Sequence, residues 1–195
     1  MSDPIHNLTD GPIALGPVDW TLLPDYLRWA NDFAVQRTAA DILLPVTRED
    51  QEAWFARVSP GSDASTVRFT IFEASGGRAI GLTNLHRIDY RHGTAEFGIM
   101  IGEADCRGRG YGGRVTRMML RYAFGSLGLH NVMLRVFSIN PAAVRAYENA
   151  GFREFGRRRE CRLIERQRVD EIFMECLAAE FLATDRLEPD MDRTG

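Results

Sequence analysis

The run Cys106-Arg107-Gly108-Arg109-Gly110-Tyr111-Gly112-Gly113 places four glycines among eight residues, directly ahead of an amphipathic segment. Without Cβ atoms such a loop lets backbone N–H groups approach a ligand closely, and a helix start adds unpaired amides and the positive end of the macrodipole. The chemistry implied is the holding of a phosphate or pyrophosphate. Read as Arg/Gln-x-x-Gly-x-Gly/Ala, the pattern is Arg107-Gly108-Arg109-Gly110-Tyr111-Gly112. Alone it is a weak pattern, and its surroundings decide what it means.

Upstream, Ala95-Glu96-Phe97-Gly98-Ile99-Met100-Ile101 reads as a strand. Downstream, Val115, Met118, Met119, Tyr122 and Leu127 recur at helical spacing, Arg114, Arg117 and Arg121 mark another face, and Gly125 and Gly128 close the helix. The unit is strand, glycine loop, helix. A Walker A loop ends in Gly-Lys-Ser/Thr, and all 24 basic residues of this chain are arginines. Gly108-Arg109-Gly110-Tyr111-Gly112-Gly113 does meet the dinucleotide spacing Gly-x-Gly-x-x-Gly. That fold needs the loop in a leading βαβ unit, with an acidic residue about 20 positions on. Here Gly128-Leu129-His130-Asn131-Val132 stands there, and the nicotinamide reading is rejected.

A second signature follows the apolar strand Val132–Phe137. In Asn140-Pro141-Ala142-Ala143-Val144-Arg145-Ala146-Tyr147-Glu148-Asn149-Ala150-Gly151-Phe152, Asn140 suits an N-cap, Pro141 the first helical turn and Gly151 the C′ position. Asn-x-x-x-x-x-x-Tyr-x-x-x-Gly-Phe, at this distance from the glycine loop, resembles the acetyl-CoA-binding core of the GNAT superfamily of N-acetyltransferases. The resemblance runs over residues 12–177 and is strongest over 94–155. Trp29-Ala30-Asn31-Asp32 followed by Trp54-Phe55 resembles the branch of ribosomal-protein N-terminal alanine acetyltransferases and spermidine acetyltransferases. Arg91–Phe97 and the hairpin around Arg166 lean toward the polyamine side.

The resemblance implies an α/β (α+β) fold: a mixed, mostly antiparallel twisted sheet of about six or seven strands flanked by about four helices, its fourth and fifth strands splayed to admit the pantetheine arm. It implies acetyl-CoA as co-substrate, with no metal and no acyl-enzyme. Carried onto this chain, backbone groups of the Ile99-Met100-Ile101 segment pair with the pantetheine amides. Arg107, Gly108, Arg109, Gly110, Tyr111, Gly112 and Gly113 wrap the pyrophosphate, and Asn140 binds the pantetheine arm. Tyr147 stands where the family places the acid that protonates the departing thiolate. A phenol, with reference pKa about 10, is protonated at neutral pH and can donate. Glu96 shares a strand face with Gly98 and Met100 beside the expected splay and is the candidate base, acting through water. The Gly98–Ile99 backbone is the candidate for polarising the thioester carbonyl.

Other residues carry less. Cys106 has no activating partner placed by sequence, His86 and His92 lie near the third and fourth strands without metal-ligand spacing, and His130 ends the long helix. Three cysteines in 195 residues make no disulfide framework and suit a cytoplasmic protein. Met1-Ser2-Asp3-Pro4 has no basic leader, and no run of 18 apolar residues occurs, so no membrane role is expected. A net charge of −3 argues against general nucleic-acid binding and suits a cationic amine. The seven arginines of 153–168 read as an exposed hairpin of alternating charge.

Along the chain, residues 1–11 read as a mobile lead-in, 12–180 as a single acetyltransferase domain and 181–195 as a C-terminal tail. Strands are expected at Pro12–Val18, Thr66–Ala74, Ala79–Asp89, Thr94–Ile101, Val132–Phe137, Phe152–Leu163 and Val169–Leu177. Helices are expected after Trp20, after the N-cap-like Thr47, after Gly110 and after Asn140. The primary expectation is acetyl transfer to a small primary amine: a polyamine, an amino-sugar antibiotic or an amino acid derivative. A peptide N-terminus is the second acceptor, with Trp29–Asp32 and the loop Arg37–Pro45 lining its groove. A CoA-binding module without turnover is the reading from another class, and a homodimer is compatible with the resemblance.

Overall fold

The computed structural model describes residues 4–38, 43–59 and 63–185. The loop Arg37–Pro45 falls in part, and the turn at 60–62 and the tail from 186 fall wholly, outside them.

Eight strands form: Leu8–Asp10 (β1), Ile13–Gly16 (β2), Val67–Glu73 (β3), Ala79–Asp89 (β4), Thr94–Ile101 (β5), Asn131–Phe137 (β6), Arg153–Ile164 (β7) and Gln167–Leu177 (β8). They make one sheet, in the order β1-β2-β3-β4-β5-β6-β8-β7. Every neighbouring pair is antiparallel except β5 with β6, which is parallel. The helices are Leu23–Ala30 (α1), Phe33–Gln36 (α2), Arg48–Val58 (α3), Tyr111–Arg121 (α4), Pro141–Ala150 (α5) and Ala178–Asp185 (α6).

Two cores follow from the two sheet faces. Ala95 and Phe97 of β5, with Ile80, Leu85, Val132 and Leu134, pack against Val115, Met119 and Leu120 of α4 and Phe181 of α6. On the opposite face Phe72 and Ala14 meet Tyr26 and Trp29 of α1 and Phe55 of α3. Local signals mark the helix ends. Thr47 and Asp50 form a reciprocal capping box at α3, Pro141 opens α5, and Gly151 closes it at a φ of +108°.

The sheet has the expected mixed character, with differences at both ends. β1 lies within the segment expected to be a mobile lead-in, pairing with β2 across Gly11. Its three residues are too few for a readable alternation. α6 crosses the expected domain end at residue 180, because Phe181 is buried and Leu182 packs beside it. α4 widens into a π-type turn over Tyr122–Ser126, where Leu127 N–H reaches the Tyr122 carbonyl at 3.1 Å.

One contact fixes α1 to the end of β5, just ahead of the glycine loop. The fully buried Trp29 ring lies on Gly102, and its Nε1 donates to Glu103 at 2.8 Å. Arg28 and Arg78 donate to the same carboxylate at 2.5 and 2.8 Å. A Cβ on Gly102 would stand 2.4 Å from the indole carbons. Gly102→Ala is therefore expected to cost about 1–3 kcal/mol. Urea unfolding would read this as a lower midpoint at unchanged slope.

Candidate active site

β5 and β6 pair only at Thr94↔Asn131, Ala95↔Val132 and Glu96↔Met133. Beyond Glu96 they part, while β6 stays paired with β8 along its whole length, from Asn131↔Leu177 to Phe137↔Glu171. The Phe97–Ile101 edge facing β6 has no strand partner among the described residues. Its other edge remains on β4, at Thr83↔Ile99, Leu82↔Met100 and Gly81↔Ile101. An extended chain bearing amides can pair with such an edge as an added strand. Ile99, Met100 and Ile101 lie on it, and the parted strands are the fifth and sixth because β1 precedes the expected set.

The glycine loop opens at the same end of the sheet. Gly108 and Gly110 have φ of +74° and +79°, the left-handed region that a side chain disfavours. No side chain caps the N-terminus of α4. A Cβ built on Gly108, Gly110 or Gly112 meets nothing within 4 Å, and one on Gly113 only the Ala146 carbonyl at 4.0 Å. The loop thus leaves open space beside uncapped amides, which fits a diphosphate. Arg107 departs from expectation. Its N–H donates to Ala104 O at 3.3 Å, and its guanidinium to Ile101 O at 3.1 Å and Gly102 O at 2.7 Å. It ties the loop to the end of β5, and its donors turn inward. Arg109 is exposed, 3.8 Å from Glu73.

Asn140 caps α5, its Oδ1 accepting from Ala143 N–H at 3.1 Å. Its Nδ2 donates to no described residue, so one end of the amide remains available. Two turns later Tyr147 packs edge-on against Phe97 at 6.3 Å and Phe152 at 6.1 Å. Phe97 is the first residue of β5 past the parting, so the phenol stands beside the slot. The hydroxyl bonds to no described residue, and burial of the ring pushes its pKa up to about 12.

On the other face of β5, Glu96 is buried among cations. Arg135 Nε donates to its Oε1 at 2.6 Å and Arg87 Nη1 to its Oε2 at 2.8 Å, with His86 Nε2 3.5 Å from Oε2. Arg87 reaches it from a bulge in β4, at a φ of +52°. Burial raises the carboxyl pKa, but the hydrogen bond and charge of Arg135, with His86 and Arg87, bring it below the usual range. Both oxygens are occupied and the proton affinity is low, which amends the expectation of Glu96 as a free base. His86 is the reverse case: burial outweighs the pull of Glu96 and lowers its pKa below 6.5, leaving it neutral at pH 7. Its Nδ1 meets Asn84 Oδ1 at 3.0 Å.

Sequence reasoning places His86 near the third and fourth strands without a role and does not single out Arg135 or Arg87. Arg135 is 39 residues from Glu96, a pairing that the parallel register of β5 and β6 creates. Cys106 is buried and its thiol is pushed up by burial, then by Glu73 and Asp105, so it is unreactive. A shallow depression of about 270 Å³ beside α1 is lined by Leu23, Leu27, Arg28, Asn31 and Arg48. Among the described residues no group of three His, Cys, Asp or Glu side chains is arranged to hold a metal ion, and no helix is long and apolar enough to cross a membrane.

The acetyltransferase (GNAT) domain family matches residues 13–153. A spermidine N(1)-acetyltransferase of Vibrio cholerae is 38% identical over 94 residues, 48% of this chain and 53% of that protein. A putative phosphinothricin acetyltransferase of Bacillus subtilis is 32% identical over 114 residues, covering 57% and 66%. The matched part of the chain thus spans about half the length of the first of these relatives and just under two thirds of the second. In three dimensions, the spermidine N-acetyltransferase from Vibrio cholerae in complex with CoA and spermine superposes with a TM-score of 0.81 at 26% identity. That match covers 89% of this chain and 99% of the other.

Proposed function

Because the chain belongs to the GNAT acetyltransferase family, we propose that it transfers an acetyl group from acetyl-CoA directly to the primary amine of a small molecule. The observation that carries this reading is the parting of β5 and β6 after Glu96, with the uncapped start of α4 at the same end. Backbone amides of Arg109, Gly110, Tyr111, Gly112 and Gly113 hold the diphosphate, and Arg107 and Gly108 shape the loop around it. The edge at Ile99-Met100-Ile101, whose Ile101 carbonyl already accepts from Arg107, and the Asn140 amide hold the pantetheine arm. The thioester supplies the acetyl group. Holding amine and thioester side by side removes the entropy of a bimolecular encounter.

Three proton transfers complete the reaction. The acceptor ammonium must lose a proton before it attacks, and neutral His86, its Nδ1–H on Asn84 Oδ1, takes it on Nε2 and passes it to solvent, the ionised Glu96 alongside stabilising the imidazolium. As the C–N bond forms and the C–S bond breaks, the leaving thiolate gains a proton from Tyr147. The second proton of the attacking nitrogen returns to the Tyr147 oxygen through water, which leaves the amide, the CoA thiol and the phenol restored. The three free cysteines support a cytoplasmic protein, and the dodecameric structure of a spermidine N-acetyltransferase from Vibrio cholerae supports a homo-oligomer.

The direct experiment is a thiol-release assay with acetyl-CoA against spermidine, aminoglycosides, amino acids and short peptides with free N-termini. Turnover on a small amine is the expected result. Turnover on peptides alone would move the acceptor to protein N-termini, and CoA binding without turnover on any of them would overturn the catalytic reading. The proton route has its own signature. The kcat profile of the intact protein is expected to fall on the acid side, with a midpoint below pH 6.5, as His86 protonates. In His86→Gln that limb should vanish, with kcat about tenfold lower at pH 8. An unchanged limb would remove His86 from the route.

A further inference from the structure

The acetyltransferase reading leaves open what the acceptor carries besides its amine, and one side chain on the acceptor face bears on this. Arg68 (β3), Asn84 (β4) and Gly98 (β5) stand in one cross-strand row. Residues so aligned project from the same sheet face, here also the face of His86 and Glu96. Two strand spacings put Arg68 about 10 Å from Gly98, where the slot opens.

Arg68 has no anionic partner among the described residues. Its Nε is enclosed and unpaired. Its terminal nitrogens donate to no described group and are not enclosed. Its guanidinium lies over Trp54 at 5.4 Å, and burial alone shifts its pKa, downward, with no carboxylate offsetting it. A partly buried cation left this way is costly, because the desolvation of its donors is not returned by a hydrogen bond. Of the carboxylates that β5 and β8 place on this face, two are already paired with arginines: Glu96 with Arg135 and Arg87, Glu171 with Arg135 at 3.3 Å and Arg162 at 3.0 Å. The third, Glu175, accepts from Asn131 Nδ2 at 2.9 Å at the closed end of the β5–β6 pair. Ammonium groups of a polyamine would find neither Glu96 nor Glu171 free, whereas a carboxylate or phosphinate would complete Arg68.

We propose that Arg68, braced on Trp54, is an anion subsite for the acceptor, so that the preferred substrate is an amine bearing a carboxylate or phosphinate, such as an amino acid derivative. This rests on the acetyltransferase reading and narrows it. The planar guanidinium suits bidentate binding of either group.

Matched pairs test it in the full-length protein: tyrosine against tyramine, phenylalanine against phenethylamine, with phosphinothricin and spermidine alongside. Each is assayed with the unaltered protein, Arg68→Gln and Arg68→Lys. The expected result is at least tenfold higher kcat/KM for the acid of each pair, lost in Arg68→Gln mainly through KM and partly restored in Arg68→Lys. Turnover of the bare amine and CoA affinity should stay within about twofold. A brace between α3 and the sheet would instead lower turnover on both members equally, leaving their ratio unchanged, and that result overturns the proposal. Spermidine turnover without turnover of the acids overturns it too, while the acetyltransferase reading stands. CoA binding with no amine acetylated overturns both.

Discussion

Replacing Tyr147 with phenylalanine is expected to lower kcat about a hundredfold while CoA affinity and thermal stability stay within twofold and about 2 °C of the parent. The ring does the packing, through Phe97 and Phe152, and Phe keeps it. The hydroxyl bonds to nothing among the described residues, so its removal strands no protein donor or acceptor. What is lost is a proton source beside the thioester sulfur. General acid catalysis contributes about 10²–10⁴-fold, and a thiolate is a good leaving group, which places the effect at the lower end. The pKa of about 12 fixes the sign with pH. A phenol raised this far stays protonated across the whole assay range, so the unaltered protein should lose no activity to Tyr147 ionisation up to pH 10. Single-turnover thiol release with saturating acetyl-CoA is the measurement. An unchanged rate would reduce Tyr147 to a packing residue.

What was legible in the sequence was local. Gly108 and Gly110 declare their backbone by type, and both adopt positive φ. Asn140, Pro141 and Gly151 declare a helix by position, and α5 runs between the expected ends. β4 and β5 have the expected bounds because turn residues flank two well-alternating runs. Contacts made at long range were not legible. Arg107 belongs to the loop motif, yet its side chain turns back to the carbonyls that end β5. Glu96 stood out as an acid on a strand. The arginines that occupy its oxygens come from a bulge on β4 and from β6, across a parallel register that composition cannot specify. The same holds for Arg68, whose lack of an anionic partner among the described residues is a property of the folded face and of no segment.

At the start of α4 one carboxylate separates stability from binding. Gly112 lies in the first turn of α4, with a helical backbone and open space where its Cβ would be. Gly112→Asp replaces the poorest helix former after proline and sets a carboxylate at the positive end of the helix. Together these should stabilise the free protein by about 0.5–1 kcal/mol. The same carboxylate fills the space assigned to the diphosphate. A like-charge contact at 4 Å near a protein surface is worth about 4 kcal/mol, and solvent screening reduces it. CoA affinity is therefore expected to fall at least a hundredfold while the urea midpoint rises. Gly112→Ala, which adds bulk without charge, should raise the midpoint similarly and weaken CoA several-fold at most. Titration calorimetry with CoA and urea unfolding of the three proteins separate the terms. If Gly112→Asp binds CoA as the parent does, the diphosphate does not sit at the start of α4. If it binds poorly and is also less stable, the glycine serves the fold, and the loop's claim to the cofactor must rest on Gly108 and Gly110. Opposite signs of the two effects in one variant are what a site built from uncapped amides requires, since the group that satisfies the helix end then competes directly with the ligand.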